Sequence, residues 1–197
     1  MNVEQELSRS FWMEVDPPQL PRLLEDLETE VLVIGAGIAG LSTAYELAES
    51  GRRVTVLDRG RFGRGMTART TAHLTFEIDD FFHELIKMHG LDHARLWYES
   101  QSAAVDRIEA ICGAEALDCD FVRLDGYFVP AEDKDVDYLR KELEAAHEVG
   151  FTDAEWLESG APVTGGAAIR FPRQGRFHPT KYLNGLVAAL QKRGVRL

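Results

Sequence analysis

The chain has 197 residues, 45% of them apolar and 28% charged, enough for one substantial hydrophobic core with a lobe attached. Seventeen glycines and seven prolines exclude fibrous and disordered classes. The formal net charge of −11 sets the protein against phosphate polymers and anionic bilayers, so neither a nucleic-acid nor a membrane partner is expected.

Much of that charge is local. Residues 1–30 hold Glu4, Glu6, Glu14, Asp16, Glu25, Asp26, Glu28 and Glu30 against Arg9 and Arg22 alone. Residues 1–29 read as a leader, with Phe11-Trp12-Met13 as an apolar anchor and Pro17, Pro18 and Pro21 forbidding a regular helix. No secretory signal is visible. The longest apolar stretch, Val31–Leu41, is broken by three glycines and falls short of the ~20 residues of a membrane span. Cys112 and Cys119 form no CxxC pair and no disulfide framework, and read as buried small hydrophobes in a reducing, cytoplasmic setting.

Val31-Leu32-Val33-Ile34 is a continuous apolar run of the kind buried on both faces of a parallel sheet. A helix over Leu41–Ser50, closed by Gly51, and a strand over Val54–Leu57 complete a β-α-β unit. The linking turn, Gly35-Ala36-Gly37-Ile38-Ala39-Gly40, matches GxGxxG. Gly35 permits the turn, Gly37 leaves room for a pyrophosphate, and Gly40 lets helix and strand approach. The amides that open the helix, around Ile38 and Ala39, present unpaired N–H groups and positive partial charge to a diphosphate. Asp58 ends the second strand 18 residues after Gly40, where a carboxylate accepts ribose hydroxyls and repels a 2′-phosphate. The pattern therefore predicts FAD or NAD.

A loop containing Arg59, Arg61, Arg64 and Arg69 follows, then Thr70, Thr71, Ala72 and His73. Arginine and threonine suit diphosphate and flavin-edge contacts. Arg61 and Arg64 read better as solvated loop residues, and Arg69, Thr70 and Thr71 as cofactor contacts. Helices are expected over roughly 77–89, from Asp92 as N-cap to Gly113, over Asp135–Val149, and over Tyr182–Arg193. Asp125-Gly126, between Phe121–Leu124 and Tyr127–Val129, signals a hairpin, and residues 159–175 read as loop. Gly194–Leu197 begins a strand. Gly90 and Asp92 interrupt the helix between His89 and His93, so no metal is assigned to His83, His89 or His93. Phe81-Phe82 and Trp97-Tyr98 read as core, and His178 as serving the loop into the last helix. There is no internal repeat.

The string Val31–Asp58, with Gly65-Met66-Thr67-Ala68-Arg69-Thr70-Thr71-Ala72-His73-Leu74-Thr75, resembles the FAD-dependent oxidoreductases of the D-amino-acid oxidase and glycine oxidase family. Ser10–Met13, Cys119–Phe121 with Gly126-Tyr127, Arg170–Pro172, and Gly175–Pro179 with Lys181–Leu183 are similar to its bacterial subgroup bearing a C-terminal Rieske domain. The resemblance implies an α/β fold: a Rossmann-type FAD-binding domain interrupted by the start of an α+β substrate domain, cut short of the family's usual length. The implied division is 1–29 leader, 30–115 first part of the FAD domain, 116–175 partial substrate domain, and 176–197 return to the FAD domain. It also implies hydride transfer from the carbon beside nitrogen in an amine or amino acid onto the flavin. The segment matching Thr67–Thr75 would pass along the diphosphate and flavin ring. No catalytic base is assignable, and the cysteine–histidine pairs of a Rieske cluster are absent. Two alternatives stand beside this reading: a non-catalytic remnant or subunit that needs a complementary chain, and an NAD-binding Rossmann protein.

Overall fold

Val31–Ile34 and Val54–Leu57 form parallel strands β1 and β2 in a computed structural model of the chain, which describes residues 9–130, 136–162 and 164–197. Glu4 and Glu6 of the acidic leader and Asp135 of the expected helix lie outside the described residues. Two compact units make up the fold: residues 1–72, 111–121 and 177–197, and residues 73–110 and 122–176. The division groups the leader and residues 111–121 with the β-α-β unit, and residues 73–110 with the lobe.

In the first unit, helix α1 (Ile38–Glu49) joins the two strands, and Val31↔Val54 through Ile34↔Leu57 fix their register. Arg196 bridges to Thr55 in parallel, so the expected strand after Gly194 begins beside β2. Helix α5 (Pro179–Lys192) packs on α1, burying Leu41, Ala44 and Tyr45 against a face with Leu183, Leu186, Val187 and Leu190. Its start is well specified: Pro179 pre-sets the first turn, and the His178 ring accepts the Lys181 amide at 3.3 Å. At its other end the Arg193 guanidinium lies over the Tyr45 ring and bonds Glu49 at 2.6 Å and Glu115 at 2.5 Å. Burial pushes the Tyr45 hydroxyl up to about 12.

The leader has a short 3-10 turn, Phe11–Glu14, and no helix through its prolines. Met13 is its buried residue, while Trp12 packs edge-on against His178 and donates to the Thr70 carbonyl at 2.7 Å.

One expectation fails in this unit. Leu32 is 48% exposed and Ile34 83%, so β1 is covered on one face only. The covering layer is α1; on the other face Ile34 is largely open and Leu32 half open.

The second unit is an antiparallel sheet with helices. Strand β6 (Ala168–Arg176) is central: β4 (Val122–Phe128) pairs along one edge, and β3 (His73–Leu74) and β5 (Glu155–Leu157) take the other. Residues 168–176 are thus strand rather than loop. The Asp125-Gly126 hairpin is also overturned, since β4 runs straight through it. The register slips there: Leu124 faces Gln174 while Gly126 faces Phe171, leaving Pro172-Arg173 bulged with Arg173 at φ 63°. A bulge tolerates a proline that cannot donate, and a Cβ at Gly126 would lie 3.2 Å from the Gln174 side chain.

Helices α2 (Phe82–His89), α3 (Leu91–Ala114, whose last turn belongs to the first unit) and α4 (Val136–Glu148) accompany this sheet. Helix α2 starts five residues later than its apolar spacing predicts, because Phe81 sits at φ 64° and the buried Glu142 carboxylate accepts the amides of Phe82 and His83. Gly90, at φ 84°, separates α2 from α3, so Asp92 lies in a first turn rather than at a cap. Phe76, Phe82, Val105, Phe151, Ile169 and Phe171 form the core, with Phe81, Trp97 and Tyr98 packed against it.

Candidate cofactor site

The site is built where β1 ends. Gly35 continues the ladder by donating to Leu57 O at 2.8 Å, then turns the chain at φ 105°, a conformation costly for any residue with a Cβ. Gly37 caps α1 with no side chain of its own, and a Cβ there would lie 3.3 Å from Thr67 Oγ1. Gly40 is required by contact: a Cβ would lie 1.9 Å from Gly35 O. Gly35 and Gly40 thus have the turn and the close approach that their spacing predicts, while Thr67 rather than open space lies beside Gly37.

Asp58 turns toward the bend. Its Oδ2 accepts the Ala36 amide at 2.7 Å and its Oδ1 the Gly60 amide at 2.9 Å. Each oxygen keeps a further acceptor direction, and the residue is exposed. The first amides of α1, from Ile38 to Gly40, have no acceptor within the helix by its geometry. Ile38 N–H donates to Thr67 Oγ1 at 3.2 Å, which leaves the threonine's own proton for another acceptor. Sequence reasoning assigns the Thr67–Thr75 segment to the cofactor without singling out Thr67, because only folding brings residue 67 to the start of α1.

The rest of the segment is ordered by its own polar groups. Arg69 closes the 3-10 turn Met66–Arg69 by donating to the carbonyls of Arg64 at 2.9 Å and Gly65 at 3.2 Å. Thr70 Oγ1 accepts the Ala72 amide at 3.1 Å, and Ala72 is buried at φ 63°. Arg59 and Thr71 are exposed. His73 belongs to the second unit, where it opens β3 opposite Arg176. Arg64 is not the solvated residue expected: it donates to Met13 O at 2.8 Å and pairs with Asp16 at 3.0 Å, tying the leader to the loop. Arg61 is exposed, as expected of a loop residue.

A turn of this make would fit a dinucleotide: bare backbone, helix-opening amides, and a carboxylate at the end of the second strand. The FAD dependent oxidoreductase family, DAO, matches residues 30–197. The chain belongs to that family. FAD, not NAD, is the dinucleotide of its members. YhfW of Bacillus subtilis, whose name carries a Rieske 2Fe-2S designation, is 34% identical over 193 residues, covering 98% of this chain and 38% of its own. Gamma-glutamylputrescine oxidoreductase of Escherichia coli is 29% identical over 181 residues, covering 89% of this chain and 42% of its own. Among solved structures, L-amino acid deaminase from Proteus myxofaciens superposes with TM-score 0.71 at 17% identity, over 96% of this chain and 41% of that one. Glycine oxidase from Geobacillus kaustophilus gives 0.67 at 17% identity, over 85% and 45%. The structural likenesses establish the fold. The chain spans about two fifths of the length of the curated relatives it matches.

Among the described residues no group of three or more His, Cys, Asp or Glu could hold a metal ion. No described helix is long and apolar enough to cross a membrane.

Proposed function

We propose that this chain is the cofactor-binding front portion of an FAD-dependent oxidoreductase that acts on the C–N bond of an amine or amino acid. FAD, when bound, supplies a hydride acceptor for the carbon beside nitrogen, and the resulting imine is hydrolysed by water. The chain's own residues bind and orient. The amides of Gly37 to Gly40 and the hydroxyl of Thr67 would hold the diphosphate, drawing on the positive end of α1. Asp58 would accept ribose hydroxyls while its bond to Ala36 keeps the turn in shape. Arg69, Thr70, Thr71 and Ala72 shape the following segment, and Arg59 and His73 are its further candidate contacts. In this reading residues 73–110 and 122–176 begin the substrate lobe.

The observation that carries the proposal is the Asp58–Ala36 bond at 2.7 Å, because it fixes the acid and the glycine turn as one device. Gly37→Val tests it: the added side chain enters the space of Thr67 Oγ1 and of the diphosphate. The purified full chain should acquire flavin absorbance on addition of FAD, and the variant should not, with unchanged circular dichroism. Equal flavin retention by both would sink the assignment. Anaerobic bleaching of the bound flavin by a panel of amines and amino acids then reads the substrate class.

A second reading, a subunit that works only with further polypeptide, is favoured by the uncovered Leu32 and Ile34 on β1. Rescue of flavin binding by a co-expressed chain would identify it.

A further inference from the structure

Cys112 and Cys119 read in the sequence as two unrelated buried hydrophobes, but the fold brings their sulfurs to 3.4 Å. Cys112 ends the last turns of α3, 9% exposed, and Cys119 lies beyond the connecting loop, 1% exposed. The segment between them is on the surface at Gly113, Ala114, Ala116 and Asp118. Leu117 N–H donates to Cys112 O at 2.9 Å and Ala116 adopts a left-handed φ of 51°, as does Asp120 just past Cys119 at 54°. Leu117 seats on α5, where a Cβ at Gly185 would lie 2.6 Å from its Cδ2.

We propose that Cys112 and Cys119 form a reversible redox pair, a modification site that a small hydroperoxide closes to an intramolecular disulfide. The sulfurs need to approach from 3.4 Å to the ~2.05 Å of an S–S bond. The Cys119 thiol is held below its ordinary range by the hydrogen bond from Cys112, opposed by burial and helped by the Phe121 amide. It is therefore the nucleophile. The Cys119 thiolate attacks one peroxide oxygen, breaking the O–O bond, giving a sulfenic acid and releasing hydroxide. The Cys112 thiolate then attacks the Cys119 sulfur, forming S–S and expelling the sulfenic oxygen as water. Overall two thiols lose two electrons and two protons, and one hydroperoxide is reduced, giving two waters when the peroxide is hydrogen peroxide.

The consequence falls on the start of α5. Cys119 O accepts the His178 amide at 2.7 Å, and Asp120 pairs with Lys181 at 2.8 Å. His178 in turn packs on Trp12, which bonds Thr70 O. Oxidation therefore staples a segment that leads, through three contacts, to the cofactor segment.

The test is independent of flavin. The full chain is treated with hydrogen peroxide, quenched, alkylated without reductant, digested and read by mass spectrometry. The expected product is one Cys112–Cys119 cross-linked species, two hydrogens lighter, which dithiothreitol returns to two alkylatable thiols. Cys112→Ser should instead leave Cys119 as a sulfenic acid trapped by dimedone. Two thiols that stay alkylatable in the peroxide-treated native chain, or independent over-oxidation of each without a cross-link, would overturn the proposal.

Discussion

Gly35 and Gly40 touch across the same turn, yet each is a glycine for a different physical reason. Gly35 has open space around its missing Cβ but holds φ at 105°, whereas Gly40 has ordinary backbone and no space at all. Gly35→Ala should therefore cost about 1–2 kcal/mol of backbone strain. Gly40→Ala drives a methyl to 1.9 Å from Gly35 O and should cost about 3 kcal/mol, since α1 itself must move. Urea denaturation of the two variants reads this order directly, and the reverse order would show that contact is not what fixes Gly40. At this scale the turn is largely legible, because the spacing of three glycines and one acid encodes a local β-α-β geometry. Thr67 was not, since its role depends on a contact made 29 residues away at Ile38.

The same dependence on distant partners explains which elements the sequence reveals. Helices α1, α4 and α5 and strands β1 and β2 follow from apolar spacing within each segment. The start of α2 does not, because a carboxylate 60 residues further on supplies its cap. Strand β6 is hidden for a like reason: Pro172 and the surrounding Gly, Arg and Gln break any local strand pattern, and pairing with β3, β4 and β5 overrides it. Asp125-Gly126 has the composition of a tight turn, but the bulge opposite Pro172-Arg173 uses it as strand. The Glu142 cap has a pH signature. Burial pushes its carboxyl above the ordinary 4.5, against the lowering pull of the Phe82 and His83 amides and the His83 ring at 2.7 Å. A carboxyl raised on folding binds more protons in the native state than in the unfolded state. Its contribution is therefore fully present at low pH and falls as pH rises from about 4.5 through the folded value. Glu142→Gln should flatten that decline in a series of thermal melts, and an unchanged slope would assign it to other groups. Glu142→Ala, which leaves two buried amides without their acceptor, should lose about 3 kcal/mol at neutral pH.

For the whole molecule, the β-α-β motif and the family resemblance implied an α/β FAD-binding fold, and the family match over residues 30–197 shows that class. What could not be read was the cover of β1. An apolar four-residue strand looks identical whether its second face is packed or not, and here Ile34 is largely exposed and Leu32 half exposed. The curated relatives are more than twice as long as the part this chain aligns with. The claim on which the account rests is that the amides opening α1 receive the dinucleotide's diphosphate. Titrating FAD into isotope-labelled full chain and following backbone amide resonances tests it most directly. The largest shifts are predicted at Gly37, Ile38, Ala39 and Gly40, with Asp58 and Thr67 moving in step. Saturable FAD binding that leaves those four amides unmoved would contradict it.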